Sequence, residues 1–257
     1  MASETGPRIL DCEMRDYHEL SSAGRRELLD ALASDLGDPW SPWVDDERIV
    51  EHRDVWPGKS YADRPLQMSF VPGGVFKPGL STREEGIVER WLDTDETRQD
   101  RSALEMSIDA LLEHQPDTDG VRISPFLMSC DPLQRREVEA IRQEVPDLRI
   151  PTDFEWEWAV RAGSRTMFWW GDDPPSRIDA PHQLPNGDHP LALREIAWSR
   201  EHCEGEEAPG APPRFTRGGI EECCPWQNTG EFTLLLSAYR RPGTSSWMQT
   251  RPVIPLT

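Results

Sequence analysis

Arg149–Gly163 reads RIPTDFEWEWAVRAG, and this stretch decides the fold. Thr152 and Glu155 have the spacing at which a hydroxyl and a carboxylate satisfy the orphan amides of a helix's first turn. They predict a helix through FEWEWAVRA that Gly163 stops. Phe154 lies four residues before Trp158, and Trp156 four before Val160, so large apolar side chains face each side of a short helix.

Working outward, FWWGDD (Phe168–Asp173) follows, and then a turn-rich run up to two strand-like stretches, FTLLLSAY (Phe232–Tyr239) and RPVIPL (Arg251–Leu256). Upstream, LQMSFVPGGVFKPG (Leu66–Gly79) reads as a strand, a turn at Gly73 and Gly74, and a return strand. Thr82-x-x-Glu85 and Ser102-x-x-Glu105 are further capping patterns, the second opening a stripe of Leu104, Ile108, Leu111 and Leu112 that Pro116 ends. VRISPFLMSC (Val121–Cys130) reads as another strand, and Asp131-Pro132 as the start of a helix through about Glu144. Near the amino terminus, Ser21 or Ser22 caps a helix with Leu28, Leu29, Leu32 and Leu36 on one face, stopped by Gly37. Trp40, Trp43 and Trp56 punctuate the turn-rich stretch that follows and need something to bury against. Residues 1–64 are therefore expected to form a helical, Trp-rich extension packed on a domain spanning 65–257.

Composition narrows the function classes. The 257 residues carry 28 Lys+Arg against 47 Asp+Glu, a net charge of −19. Phosphate backbones and anionic membranes are repelled by such a chain unless its cations cluster, so neither nucleic acid nor membrane is an expected partner. Only Lys59 and Lys77 are lysines, and the many arginines suit planar pairing with the abundant carboxylates. Eleven Trp argue for a packed globule, while 24 Pro and 18 Gly argue for much irregular loop. No run reaches 18 apolar residues, the opening MASETGPRIL lacks a basic-then-apolar leader, and five cysteines without zinc spacing read as reduced thiols. The expected location is cytoplasmic.

The Arg149–Gly163 stretch, followed by Trp170-Gly171-Asp172, resembles the formylglycine-generating-enzyme (sulfatase-modifying-factor) family, which also includes a sulfoxide-synthase branch. The family pattern R-L-P-T-E-x-E-W-E-x-A-x-R-G-G is matched at Pro151, Thr152, Glu155, Trp156, Glu157, Ala159, Arg161 and Gly163. FVPGGVF (Phe70–Phe76), PFLMSCDPL (Pro125–Leu133), TRGGI (Thr216–Ile220), SAYRRP (Ser237–Pro242) and RPVIPL are similar to further family segments, in the family's order. The resemblance covers roughly residues 65–257. It implies an α+β fold of the C-type-lectin kind, with short strands, a few capped helices and much irregular loop.

The same resemblance sets expectations for the site. Members with oxidase activity hold copper between two cysteines soon after the R-G-G motif, thiolates being soft donors that select Cu(I). Cys223, four residues after Gly219, stands at the first of these positions, but Asn228 stands at the second. Cys224 points to the opposite side of an extended chain and does not replace it. LREIAW (Leu193–Trp198) replaces a calcium-associated family segment, with Arg194 and Ala197 at its amide and acid positions. Residues 1–64 hold only His18 and His52, too few for the sulfoxide-synthase iron site.

These departures imply a degenerate, non-catalytic domain that recognises a protein partner and needs no cofactor, in the manner of domains that accompany effectors in bacterial defence and signalling assemblies. Trp169, Trp170 and Trp226 are its expected contact residues, since exposed Trp anchors interfaces, although the Trp residues around the 149–163 helix read first as core and cleft walls. The alternative is an oxygen-dependent oxidase of a cysteine-containing substrate, with Cys223 holding copper or iron. Other constellations read as structural: His202, Cys203, Cys223 and Cys224 match no zinc spacing, His182 and His189 read as exposed loop histidines, and the acidic run Asp93–Asp100 as a solvated linker. Ser237 and Ser245–Ser246 lack the strand–turn–helix context of a hydrolase nucleophile.

Overall fold

A computed structural model describes residues 12–36, 40–42, 49–51, 66–92, 101–113, 115, 116, 118, 120–174, 189–198, 200–205, 214–219, 234–243 and 249–256. In chain order these form α1 (Met14–Glu19), α2 (Ser22–Leu36), β1 (Trp40–Pro42), β2 (Ile49–Glu51), β3 (Gln67–Val71), β4 (Gly74–Phe76), α3 (Thr82–Leu92) and α4 (Arg101–Glu113). There follow β5 (Val121–Ile123), β6 (Phe126–Ser129), β7 (Leu133–Gln134), α5 (Arg135–Arg142), α6 (Asp153–Arg161), β8 (Arg200–Glu204), β9 (Arg214–Gly218), β10 (Arg241–Pro242), β11 (Gln249–Thr250) and β12 (Val253–Pro255). This is a mixed α+β arrangement of short strands in three sheets. No helix among the described residues is long and apolar enough to cross a membrane.

The first sheet has the order β1-β2-β3-β6-β12 and is antiparallel throughout, with Phe70 opposite Leu127 and Met128 opposite Val253. Its central strands are buried along nearly their whole length. Both faces are covered, and the apolar run therefore replaces the alternation of a half-exposed strand. The second sheet, β10-β9-β8-β11-β7, is antiparallel except between β8 and β11. The third is the pair β4–β5. Helix α6 lies in the core, every residue but Glu155 buried, and its Thr152–Glu155 capping box forms as the sequence predicts.

The described residues from 12 to 40 contribute to the same core. The Gly73 amide donates to the Cys12 carbonyl at 3.1 Å, and the Met14 amide to the Gly73 carbonyl at 3.0 Å. Tyr17 meets Phe70 edge-on at 5.6 Å, and β1 and β2 extend the first sheet. Ser21 accepts from the Gly24 amide, capping α2, whose Leu28, Leu29 and Leu32 are buried. Trp40 is half-buried against the core; Trp43, Trp56 and Asp93–Asp100 lie outside the described residues.

Five local expectations are corrected. Gly73–Gly74 does not make a hairpin, because β3 and β4 belong to different sheets. Segment 12–14 takes the hydrogen bonds of Gly73, and Gly74 is pressed so closely on the Trp158 ring that a Cβ would come within 2.7 Å of it. Residues 121–130 form two strands rather than one, parted at Ser124-Pro125, where Pro has no amide for a ladder. The α3 box uses Ser81 and Glu84, one residue earlier than Thr82 and Glu85, with the Glu84 carboxylate accepting from the Ser81 amide at 2.7 Å. Asp131-Pro132 precedes β7, and α5 opens only after Gln134, whose amide donates to Glu137. Leu234–Arg240 is a chain of turns instead of a strand, since the Ser237 and Tyr239 carbonyls both bend toward the Arg217 guanidinium.

The shifted box is testable by urea unfolding. Ser81→Ala should lower stability by about 1 kcal/mol, while Thr82→Ala should stay within about 0.5 kcal/mol of the parent. The reverse ranking would return the cap to Thr82.

Candidate functional site

Helix α6 carries Asp153, Glu157 and Arg161 four residues apart, so all three charges share one face, and that face is buried. Arg217 from β9 donates from Nε to Asp153 at 2.6 Å and from Nη2 to Glu157 at 3.2 Å. Arg161 donates to Glu157 at 2.9 Å, to Glu84 of α3 at 2.8 Å and to the Gly79 carbonyl. Burial alone would lower the Arg217 pKa, but Asp153 and Glu157 outweigh it and hold the guanidinium above its ordinary range. Alongside, Trp156 Nε1 donates to Glu201 at 2.8 Å, and Glu201 pairs with fully buried Arg251. Arg240 Nη1 lies 3.0 Å from Asp153 Oδ2 without hydrogen-bond alignment, a charge contact only, and burial lowers its pKa. These charges are committed to holding α6, α3 and the second sheet together.

The Trp-rich segment follows the helix. Phe168 and Gly171 exchange backbone hydrogen bonds, and Phe168 stacks on Trp170 at 4.8 Å. Asp172 accepts from the Met167 amide and from Arg83, which holds its carboxyl below the ordinary range. Trp169 is buried and packs edge-on against Trp170 and His189. Trp170 is only half-buried and donates to the Asp173 carbonyl. Trp169 thus props Trp170, and Trp170 is the ring of the pair that reaches the surface.

His189 is not an exposed loop residue. It is buried, its Nε2 facing the Val160 carbonyl at 2.9 Å and its Nδ1 accepting from the Leu191 amide. That assigns the neutral ring with the proton on Nε2, and burial lowers its pKa to about 4. His182 lies outside the described residues.

Strand β9 ends in Gly218, and Gly219 follows, with φ of 66° and 106°, a pair of positive-φ positions that residues with a Cβ resist. The chain leaves the described residues there. Cys223, Cys224, Trp226 and Asn228 all lie beyond it. His202 and Cys203 are neighbours on β8 and face opposite sides, Cys203 buried and His202 half-buried, so the structure does not bring them to one site. Burial, then Asp153, pushes the Cys203 thiol well above its ordinary value. Burial does the same to Cys12, to about 11. Neither is a ready thiolate. Arg194 forks onto Asp131 and reaches Gln67 at 2.8 Å, which ties its segment to the first sheet through the side chain. Among the described residues no group of three or more His, Cys, Asp or Glu is placed to hold a metal ion.

A groove of about 1030 Å³ opens at the carboxy-terminal end of α6. One wall is α1 with Glu13, Arg15, His18 and Glu19, and another is the start of α3 with Ser81 and Arg83. Trp158 and Arg161 lie between, with β4 along one edge and Ser164 and Arg165 at the end. Sequence reading placed Trp158 as a cleft wall but did not single out the polar residues. The one signal for them was the rarity of lysine, since Lys77 is one of two.

No protein-family model matches the chain, and no curated protein matches it.

The buried histidine gives a pH prediction. Between pH 6.5 and about 4 the unfolded chain binds a proton at His189 that the folded chain refuses. Stability should therefore fall as pH drops through that window, by up to about 3 kcal/mol from this residue. Half-buried His202, lowered to about 4 by burial, adds in the same direction. Urea unfolding at pH 7.5 and 4.5 should show His189→Gln losing clearly less than the parent; equal losses would contradict the buried neutral ring.

Proposed function

We propose that the chain is a formylglycine-generating-enzyme-like domain of the C-type-lectin kind that has lost the oxidase site and works as a protein-recognition or assembly module. The observation that carries this reading is Asn228, standing where an oxidase of this family has its second cysteine, beside a family motif whose helix is kept as a structural strut. A copper site needs soft donors, and one thiolate is a poor set. Cys12 and Cys203 do not fit as replacements, because burial keeps them protonated. Half-buried Trp170, propped by Trp169, suits an interface anchor, and Trp226 is proposed to join it. With a net charge of −19, the partner approaching that surface is a protein with basic patches, as a component of a bacterial defence or signalling assembly would be.

The second reading, an oxidase of a cysteine-containing substrate using copper or iron, rests on Cys223 itself. It follows the Gly218–Gly219 strand end at the family's first-cysteine spacing. Metal stoichiometry after anaerobic loading with Cu(I) or Fe(II), beside Cys223→Ala, separates the two. The recognition reading expects no equivalent that depends on Cys223. One tightly held equivalent that disappears in the variant would overturn it.

A further inference from the structure

The groove beside α6 has an open strand edge running into it. Among the described residues, strand β4 pairs with β5 on one side only. On its other side, segment 12–14 bonds both backbone groups of Gly73 and then turns away as α1. Backbone groups of alternate residues point to the same edge of a strand, so the amide and carbonyl of Val75 follow those of Gly73 toward the groove. Outside the β4–β5 ladder, neither makes a backbone hydrogen bond among the described residues. Gly74 and Phe76 face inward on the Trp158 ring, while Val75 is 58% exposed, an uncommon position for a branched apolar side chain.

The charges at this edge are uneven. Lys77, two residues beyond Val75 and on the same face, is exposed, as is Arg165, which also lines the groove. Neither makes an ion pair among the described residues. By contrast Arg83 is taken by Asp172, and Arg161 by Glu84 and Glu157. Glu13 and Glu19 stand on the α1 wall beside Arg15, which pairs loosely with Asp16. Lys77 and Arg165 are therefore lining cations that no carboxylate takes among the described residues. The chain's overall negative charge is screened beyond about 8–10 Å at physiological salt, so the charges lining the groove weigh most there.

We propose that the groove takes an extended peptide by strand addition to the β4 edge, with acidic side chains of the peptide held by Lys77 and Arg165. Main-chain bonds supply affinity in this mode and side-chain contacts supply selectivity. The volume is at the upper end of the roughly 300–1,000 Å³ of sites that enclose a small ligand, enough for a short strand. The proposal rests on the recognition reading but uses a surface separate from Trp170. A lysine on a short edge strand is also a device against unwanted pairing, which the test must separate from binding.

The probe is a displayed library of random short peptides selected against the full chain. Enriched sequences should alternate β-branched with acidic residues, and a synthetic peptide made from them should bind the parent measurably by fluorescence anisotropy. Lys77→Glu with Arg165→Glu should weaken that binding at least about tenfold. N-methylation of alternate peptide amides should abolish it. Val75→Pro, which removes an amide that faces the groove and leaves the β5 ladder intact, should weaken it similarly while thermal unfolding stays near the parent's. Selection that yields no acidic peptides, or binding indifferent to the charge reversal and to N-methylation, overturns the proposal. Peptides lost in Trp170→Ala yet unaffected by the charge reversal overturn the groove but leave the recognition reading standing. That reading fails separately, through Cys223-dependent metal.

Discussion

A guanidinium with no exposed surface sits between two carboxylates of a single helix, and the arrangement of the remaining elements follows from satisfying it. Arg217 is wholly buried, as is Glu157, and Asp153 nearly so. Removing such groups from water costs several kcal/mol each, recovered only with close pairing and full hydrogen bonding. The pairing therefore fixes where β9 lies on α6. Through Arg161 and Glu84 it also fixes where α3 starts, and through the Ser237 and Tyr239 carbonyls it bends the segment after residue 233 into turns. Such a network adds little net stability over an apolar core of the same volume. What it supplies is one permitted arrangement of short elements that have little intrinsic preference of their own.

That arrangement places two different surfaces at the ends of one strut. The amino-terminal side of α6 leads through Asp153 and Arg217 to β9 and the glycine pair from which Cys223 departs. The carboxy-terminal side leads to Trp158, Arg161 and the groove, with the Trp169–Trp170 turn a few residues on. A scaffold rigid at its centre and irregular at its rim suits recognition, because loops hold function best when a fixed base positions them. A transmitted signal between the two ends would need a second arrangement of the ion network, and its close packing disfavours one.

How much of this was legible in the sequence differs by element. Helix α6 was readable from local chemistry alone, since the Thr152–Glu155 box and the aromatic spacing point to the same residues. Three strands of the first sheet, β3, β6 and β12, were readable in the sequence, whereas β1 and β2 fall in a stretch read there as turn-rich. The sheet's pairing was not readable, because whether Gly73–Gly74 turns back or crosses to another sheet depends on Trp158 and on segment 12–14, both remote in sequence. Pairing of the charges was illegible for a combinatorial reason: Asp153 and Arg217 are 64 residues apart, and 47 acids offer many equivalent partners. His189 sits in a polar, turn-rich stretch whose composition gives no sign that the ring is buried under Trp169. The groove left only the scarcity of lysine as a trace.

The claim that most depends on these contacts is that Arg217 and Asp153 are one coupled unit of the core. A double-mutant cycle of Arg217→Met and Asp153→Asn, read by urea unfolding at pH 7.5, measures that coupling. Each single substitution strands a buried charge and should cost roughly 3–5 kcal/mol, and the double variant should lose less than the sum by at least about 2 kcal/mol. Additive losses, within about 0.5 kcal/mol, would mean that the two side chains act independently and that their pairing does not fix where β9 lies on α6.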